Sequence, residues 1–372
     1  MADSISTYFA DLPDPRSPLG RLHRLGDLLS IAICGVICGA ESWVEIAQFG
    51  RDKQEWFRTF LTLPNGVPSH DTFGRVFAAL DPPAFERCFL NWTQGLADRK
   101  SGRIIAVDGK TLRRSFEHAW NKTPVHMVSA FASANQLVLG QLATEAKSNE
   151  ITAIPKLLEL LDIKGSIVTI DAMGCQKAIA HDIVGGGGDY VLAVKENQPT
   201  LYQHVKALMN EGLLESFQAM KHDRCEETEA DHGRIETRRL WCTSEVQWLR
   251  QREAWPGLAS VAMVESTRSI NGPATPERRY YISSLSGTDA RLMAAAIRGH
   301  WGVENQLHWS LDVSFREDEC RVRKGHGAEN FSRLRRIALN LLKKERTVKI
   351  GIKAKRLKAG WNHDYLLKVL QV

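Results

Sequence analysis

Two short apolar runs that each lead into an aspartate constrain the fold of this chain more than any other feature. "RIIAVDG" (103–109) carries Asp108, and "GSIVTIDAMG" (165–174) carries Asp171. Runs of this length that are rich in β-branched residues predict buried strands. Helical patterns at 150–161 and 175–184 alternate with them. The chain is therefore expected to build an α/β sheet, and side chains at the strand ends of such sheets commonly form sites.

A third acidic residue occurs in an unusual setting. The helical stretch "IRGHWGVENQLHWSLDV" (297–313) holds Glu304 among bulky aromatics, where an unpaired carboxylate is costly. If the two strands are neighbours, Asp108 and Asp171 repel each other, and a divalent cation relieves this. With the helix packed on the sheet, Asp108, Asp171 and Glu304 would be the catalytic ligands of two Mg²⁺ (or Mn²⁺) ions about 3.5–4 Å apart. Such a site would transfer phosphoryl groups.

The same stretch permits two other interpretations. His300, Glu304 and His308 are spaced four residues apart along one helical face, and mixed histidine and carboxylate ligands suit zinc. Alternatively, Glu304 forms an ordinary ion pair with Arg298 or a histidine. Arg298 precedes Glu304 by six residues, which in a regular helix puts it roughly 120° around the axis. Its guanidinium group suits a phosphate next to the site.

The pattern of apolar and polar residues changes along the chain and predicts five segments. The first is helical, with Ser69 as a helix cap, and is compatible either with a helix-turn-helix DNA reader or with any small helical bundle. The α/β pattern follows, then short β-like pieces, then the helical stretch with Glu304. The segments are a helical N-terminal domain (1–98), the first part of an α/β core (103–219), a β-rich insertion (220–285), the helical remainder of the core (286–345) and a basic tail (346–372).

Positive charge is concentrated at the C-terminal end. The net charge is +6, but residues 321–372 contain 15 Lys and Arg against 3 Asp and Glu, which gives +12 and leaves −6 for the rest. This density predicts binding of a polyanion such as nucleic acid, the alternative being a solvated lysine-rich helix face. In the helix predicted at 329–344, Leu334, Ile337, Leu341 and Leu342 fall on one side and arginines on the other.

Several further side chains are candidates for DNA contacts, with solvated loop charges as the alternative. His232 and Arg234 either form a polar turn or touch DNA. Trp301 and Trp309 are expected to pack in the core rather than to stack on bases. The DNA-contact candidates are Lys110, Arg113, Lys195, Asn197, Gln198, Arg298, Arg321, Arg323 and Lys324.

Cysteine usage and hydropathy bear on the compartment. The seven cysteines include no C-x-x-C pair, which suggests neither a disulfide framework nor a zinc ribbon. The apolar run 28–40 is too short to span a bilayer, and we expect a buried helix there. The polar, proline-rich N-terminal stretch has no export character, so a cytoplasmic, nucleoid-associated protein is expected.

Many long motifs in the same order carry a family resemblance. They include "AVDGKTLRRS", "KSNEITAIPKLL", "IVTIDAMGCQKAIA", "DYVLAVKENQ" and "HWGVENQLHWSLDVSFREDECRVR". Nearly end to end, to about residue 345, the chain resembles bacterial insertion-sequence transposases of the DDE type, in the group containing the H-repeat-associated proteins. The resemblance implies an RNase H-like core, the triad Asp108, Asp171 and Glu304, and Mg²⁺-dependent cleavage and strand transfer. It also implies a homodimer acting on terminal inverted repeats and target DNA.

The resemblance is incomplete in one detail. Related transposases surround the final glutamate with a Tyr/Arg/Glu/Lys pattern, but the position seven residues after Glu304 is Leu311. His308, Asp312 or Lys324 could take the lysine role. Two other functions stay open at this point: a nuclease of the same fold without strand transfer, and a degenerate relic that binds DNA but no longer cuts.

Overall fold

The N-terminal part of the protein is helical, as predicted. The computed structural model describes residues 5–96, 103–116, 123–144, 150–231, 234–269 and 276–371. Ser69 caps its helix by accepting a hydrogen bond from the backbone of Thr72. The stretch 42–61 forms one helix that ends at Asp52 and then a separate turn of helix. The helices are α1 (Ile5–Tyr8), α2 (Leu25–Ile37), α3 (Trp43–Asp52), α4 (Gln54–Phe57), α5 (His70–Ala79) and α6 (Pro82–Leu96).

The apolar run near the N-terminus forms α2, which is buried along almost its whole length. Leu28, Ile31 and Val36 are fully shielded from solvent in the core that α2 shares with α5, α6 and the later helices. Within the described ranges, no helix is both long and apolar enough to cross a membrane.

A mixed sheet of nine strands forms the centre of the molecule, in the order β3-β2-β1-β4-β5-β9-β8-β7-β6. The strand β2 runs antiparallel to both β1 and β3, whereas β1, β4 and β5 are mutually parallel. The strands are β1 (Ile104–Thr111), β2 (His126–Ala132), β3 (Leu137–Thr144), β4 (Ile167–Ile170), β5 (Asp189–Val194), β6 (Asp223–Asp231), β7 (Arg234–Thr243), β8 (Ser260–Ser269) and β9 (Glu277–Ser283). The α/β class predicted from the sequence is confirmed.

The β-like pieces after residue 220 continue this sheet. The strand β9 pairs antiparallel with β5, and β8, β7 and β6 follow outward from it. The helices α7 (Glu150–Glu159), α8 (Lys177–Gly185) and α9 (Pro199–Leu214) cover one face of the core strands. Sequence reasoning had not identified α9. Met293 and Ile297 of α10 (Ala290–Gly302) cover the other face, against Ile167 and Val191.

The C-terminal helices are buried far more than their composition suggests. The helix α12 (Gly327–Lys344) is surrounded by protein, and Arg333, Arg335 and Arg336 are at most 2% exposed. The sequence pattern placed these arginines opposite the leucines, but that side of the helix is not a solvent face. Arg333 pairs with Glu86 at 2.6 Å, and Arg336 pairs with Glu317 at 3.0 Å.

The basic tail folds into two further helices, α13 (Ile352–Trp361) and α14 (His363–Leu370), after α11 (Trp309–Phe315) and α12. Lys355 and Arg356 of α13 are buried as well, where they donate to backbone carbonyl groups. Five of the 15 cations counted from Arg321 onward are thus inside the protein. The charge count from sequence overstates the positive surface that this region offers to a polyanion.

Candidate active site

Asp108 and Asp171 occupy equivalent positions on adjacent parallel strands. The pairing of β1 with β4 ends at Val107 opposite Ile170; Asp108 is the next residue of β1, and Asp171 is the residue that follows β4. Adjacent strands lie about 4.8 Å apart, so the two carboxylates emerge side by side. The strand β1 itself continues to Thr111 because β2 still pairs with it, with Ser129 opposite Asp108. At Asp108, therefore, β1 no longer pairs with its parallel neighbour β4 but still pairs with its antiparallel neighbour β2.

The loop after β4 fixes the orientation of Asp171. Its Oδ1 accepts hydrogen bonds from the backbone nitrogens of Met173 at 3.0 Å and Gly174 at 3.3 Å. The side chain of Asn197 donates to the carbonyl of Ala172, and that of Gln198 donates to the carbonyl of Cys175 at 3.0 Å. The two amides predicted to contact DNA are therefore engaged in bracing this loop, because their donor groups bind its backbone.

The helix α10 brings the third carboxylate to the same sheet. Ser133 donates to the carbonyl of Gly299 at 2.7 Å, and a Cβ at Gly299 would lie 3.0 Å from the side chain of Ile104. The absence of a side chain thus lets the helix backbone approach β1. After α10 the chain makes a π-helical turn (Val303–His308), in which the backbone N–H of Trp309 bonds to the carbonyl of Glu304. Single π-helical turns are frequent at functional sites, and this one leaves Glu304 exposed.

The electrostatics of Asp108 show an excess of negative charge. Burial, together with the carboxylates of Asp171, Glu150 and Glu304, raises the pKa of Asp108 to about 7 against the lowering effect of the Gly109 backbone N–H. The Nδ1 atom of His308 lies 3.6 Å from Oδ2 of Asp108. Burial lowers the pKa of His308 to about 3, so this imidazole is neutral and does not offset the charge.

The donor set fits a hard divalent cation by its chemistry. Carboxylate oxygens are the ligands that Mg²⁺ prefers, and the charges acting on Asp108 are repulsive without a cation. In the described part of the chain, however, no group of three or more His, Cys, Asp or Glu side chains is close enough to hold an ion. Glu304 must therefore approach the aspartates for all three to share one. The same holds among the described residues for the alternative set of His300, Glu304 and His308, and His300 instead lies 3.3 Å from the hydroxyl of Thr169.

A buried pair that sequence reasoning missed lies directly beside Asp108. Nε2 of His126 is 2.5 Å from Oε1 of Glu150, and Nδ1 is 2.9 Å from the hydroxyl of Thr111. A Cβ at Gly109 would lie 2.3 Å from His126 Nε2, so only glycine leaves room for this pair. The available signal was the position of Glu150 in the motif "KSNEITAIPKLL", which the family resemblance had already singled out.

The lysine after Asp108 turns away from the site. Lys110 is 8% exposed, and its Nζ lies 2.8 Å from Asp312 and 2.7 Å from Asp318. Because two carboxylates neutralise it inside the protein, its prediction as a DNA contact does not fit the structure. Arg113 pairs with Asp318 at 3.1 Å but stays 77% exposed.

Arg298 and Glu304 line one cleft, between α10 and the strands β6 to β9, together with Trp301 and Asn305. Arg298 is held by Glu229 at 2.7 Å. The guanidinium of Arg279 stacks 4.6 Å above the Trp301 ring. Trp309, by contrast, is 58% exposed, so the expectation that it packs in the core is wrong.

The remaining candidates are spread over the surface. Lys195, Arg321 and Lys324 are exposed, and none of them forms an ion pair with a described residue. Arg323 donates to the carbonyl of Arg114 at 3.0 Å and lies over the ring of Phe116. The last two candidates were expected in a polar turn. His232 lies outside the described residues, and Arg234 begins β7.

Similarity to known proteins agrees with this arrangement. A family model described as the transposase DDE domain matches residues 99–341, and a model described as DDE_Tnp_1-associated matches residues 6–93. The "H repeat-associated putative transposase YhhI" of Escherichia coli K12 is 42% identical over 98% of this chain and 96% of its own length. The "Putative transposase YncI" of Escherichia coli O157:H7 is 43% identical over 99% of this chain and 94% of its own length.

These matches define the chain as a transposase of the DDE class. The chain belongs to the bacterial DDE-type transposases, in the H-repeat group. A solved structure of the piggyBac transposase synaptic complex with hairpin DNA aligns with 99% of this chain and 77% of its own, at 11% identity and a TM-score of 0.43.

Proposed function

We propose that the protein cleaves DNA at the ends of its insertion sequence and joins the freed ends to target DNA by phosphoryl transfer. The observation that carries the proposal is the register of β1 and β4, which sets Asp108 and Asp171 side by side on the sheet against which α10 packs. The strand order β3-β2-β1-β4-β5, with two antiparallel pairings followed by two parallel ones, supports an RNase H-like core for this chemistry.

In this proposal Asp108, Asp171 and Glu304 hold two Mg²⁺ ions. Such ions activate the attacking oxygen, stabilise the leaving oxygen and clamp the phosphate, so that water and then a 3′-hydroxyl can attack in line. Asp108 and Asp171 are fixed by the sheet and by the hydrogen bonds of the Asp171 loop. Glu304 enters from the π-helical turn, where its side chain is exposed. His308, neutral and next to Asp108, adds no positive charge that would compete with the ions.

The DNA partners are proposed to be the terminal inverted repeats of the element and the target duplex. Exposed lysines and arginines around the three carboxylates would neutralise phosphates of the DNA backbone. One of them, Arg298, lines the same cleft as Glu304. The other cations of this set are Arg113, Lys195, Arg321 and Lys324. A homodimer on DNA is proposed because two element ends must be handled together.

The division of labour along the chain follows from this proposal. Residues 1–98 would contact the element end, and 103–219 with 286–345 would form the catalytic core. The strands within 220–285 border the cleft that Glu304 lines, which supports a role for this insertion in holding DNA there.

The test is cleavage of a supercoiled plasmid carrying the element's own ends, with Mg²⁺, by the wild type and by Glu304→Gln. This change keeps the shape of the side chain and removes its charge. We expect the wild type to cut at the ends and the variant to bind DNA without cutting. Glu159→Gln, at an exposed glutamate on α7, is the matched control and should cut normally. Normal cutting by Glu304→Gln would overturn the triad.

Two other functions are distinguished by a second assay. A nuclease without strand transfer would cut the plasmid but fail to join pre-cut ends to target DNA. A DNA-binding relic would bind the ends and do neither. The relic deserves an assay because a relative that is 41% identical over 17% of this chain is named "Inactive transposase YbfQ".

A further inference from the structure

Three cations at the end of the chain converge on one shallow notch. Lys344 ends α12, Arg346 follows in the connection to α13, and Lys368 lies in the last turn of α14. They line the notch together with Glu345, Thr347 and Gln371. Unlike the buried arginines of α12, Arg346 and Lys368 are exposed and Lys344 is half-buried at the surface.

The positive charge of this notch is uncompensated within the described residues. None of the three cations forms an ion pair with another described side chain. The single carboxylate in the wall, Glu345, faces inward. Its Oε1 accepts from the backbone N–H of Thr347 at 2.7 Å, and its Oε2 accepts from the Tyr365 hydroxyl at 2.7 Å and lies 3.4 Å from Nζ of buried Lys355.

These contacts keep Glu345 charged and occupied. Burial on its own would raise the pKa of Glu345, but the hydrogen bonds from Thr347 and Tyr365 lower it to about 2. Because Lys355 balances its charge, Glu345 does not cancel the three surface cations. The notch therefore presents close to three positive charges to an approaching ligand.

The notch is held by packed structure on both sides. Nζ of Lys355 donates to the carbonyl of Leu342 at 2.9 Å, which joins α13 to the last turn of α12. Arg356 donates to the carbonyl of Val36 at the end of α2. Next to Lys344, Lys343 donates to the carbonyl of Gln306 at 3.1 Å, two residues beyond Glu304. The end of α12 is thus anchored to the turn that carries the third candidate carboxylate.

We propose that this notch binds the phosphate backbone of double-stranded DNA, away from the bond that is cut. The inference rests on the proposed function in one respect, that DNA is the partner. Its wall includes two lysines and no aromatic side chain, whereas the centres of protein interfaces are depleted in lysine and enriched in aromatic residues. Lysine and arginine around neutral hydrogen-bonding groups match phosphate oxygens, and such contacts hold DNA without reading its sequence. The site lies beyond residue 341, where the match to the transposase DDE domain ends.

The experiment measures how the affinity of the full chain for a plain duplex depends on salt. The test variant combines Lys344→Gln, Arg346→Gln and Lys368→Gln. Its matched control combines Lys156→Gln, Lys164→Gln and Lys221→Gln, three exposed lysines elsewhere with the same total charge change. If three phosphates are bound in the notch, the slope of log K against log salt should become shallower by about 2.7 in the test variant. Its affinity at low salt should fall at least about tenfold, and the control should stay close to the wild type.

Each outcome decides between the inference and the proposed function. If the wild type binds DNA and the test variant keeps the wild-type salt slope, the inference that the notch binds DNA is overturned and the proposed function stands. Equal losses in the test and control variants would reflect total charge and also overturn the notch. A wild type that binds no duplex would overturn both. A photoreactive amino acid at Gln371 should cross-link to DNA while one at Lys164 should not, and thermal unfolding checks that both triple variants fold.

Discussion

Arg333 and Glu86 form an ion pair that no solvent reaches, 2.6 Å between Nε and Oε2, across 247 residues of sequence. The pair joins α12 to α6, and Glu86 also accepts from the backbone of Gln141 on β3 at 2.7 Å. One carboxylate therefore ties together the helical N-terminal region, the sheet and the C-terminal helices. The sequence pattern placed the arginines of this helix opposite its leucines and gave no sign that Arg333 is buried, so this connection was not foreseen.

Removing one member of this pair should destabilise the whole chain. Glu86→Ala leaves the buried Arg333 guanidinium with Glu329, at 3.2 Å, as its remaining carboxylate partner, and we expect a loss of up to about 3–5 kcal/mol in the free energy of unfolding. Urea unfolding followed by circular dichroism measures it. The exposed pair Arg58 and Glu55 provides the comparison, since Glu55→Ala should cost no more than about 1 kcal/mol. Similar losses for both variants would refute a structural role of the buried pair.

Glu317 should give the protein a distinctive acid dependence. Burial would raise its pKa, but Arg336, Arg335 and Lys110 lower it to about 2, against an ordinary value of 4.5. Since the folded-state pKa is depressed, the contribution to stability is complete above about pH 4.5 and is lost as the pH falls towards 2. In Glu317→Gln this contribution is absent, so its unfolding free energy should fall less steeply over that window. Identical slopes for both proteins would contradict the assignment.

The general plan of the fold was predictable because it rests on short-range patterns. Runs such as "RIIAVDG" and "DYVLAV" are apolar and bounded by turns, and caps such as Ser69 announce helix starts, so most core elements were found within a few residues. The burial of α12 was not predictable, because its arginines are buried only through ion pairs with Glu86 and Glu317. Both glutamates lie outside α12, so its own sequence does not reveal these partners. A count of charged residues predicts a charged surface only if those residues are exposed. Here ion pairs formed in the folded protein bury several of them.

At the candidate site, the sequence indicated the residue types but not which contacts each one makes. Asp108 and Asp171 could be expected together because parallel strands end at the same edge of a sheet. The roles of Lys110 and Asn197 depend on partners that follow no spacing rule, Asp312 and Asp318 for the lysine and the Ala172 carbonyl for the amide. The π-helical turn at Glu304 likewise has no signature in a regular helical periodicity.

Gly109 should be intolerant of even a methyl group. An added Cβ would lie 2.3 Å from His126 Nε2 and 2.4 Å from Glu150 Oε1, and both partners are buried. We expect Gly109→Ala to cost about 1–3 kcal/mol of stability and to lower DNA cleavage, because the backbone beside Asp108 must shift. Gly26→Ala is the control, since a Cβ there meets nothing within 4 Å. Thermal unfolding and the plasmid assay measure the two effects, and wild-type behaviour of Gly109→Ala would refute this crowding.

Asn197 and Lys195 are two residues apart, yet substituting them should have different effects on cleavage and on DNA binding. The amide of Asn197 holds the loop that orients Asp171, so Asn197→Ala should lower the cleavage rate by about tenfold or more with little change in DNA affinity. Lys195 is exposed and unpaired among the described residues, so Lys195→Gln should weaken DNA binding and reduce its salt dependence by about one phosphate contact. Cleavage at saturating protein, measured beside binding isotherms at several salt concentrations, separates the two. If Asn197→Ala lost affinity but cut normally once bound, the amide would be a DNA contact after all, and bracing the Asp171 loop would be its lesser role.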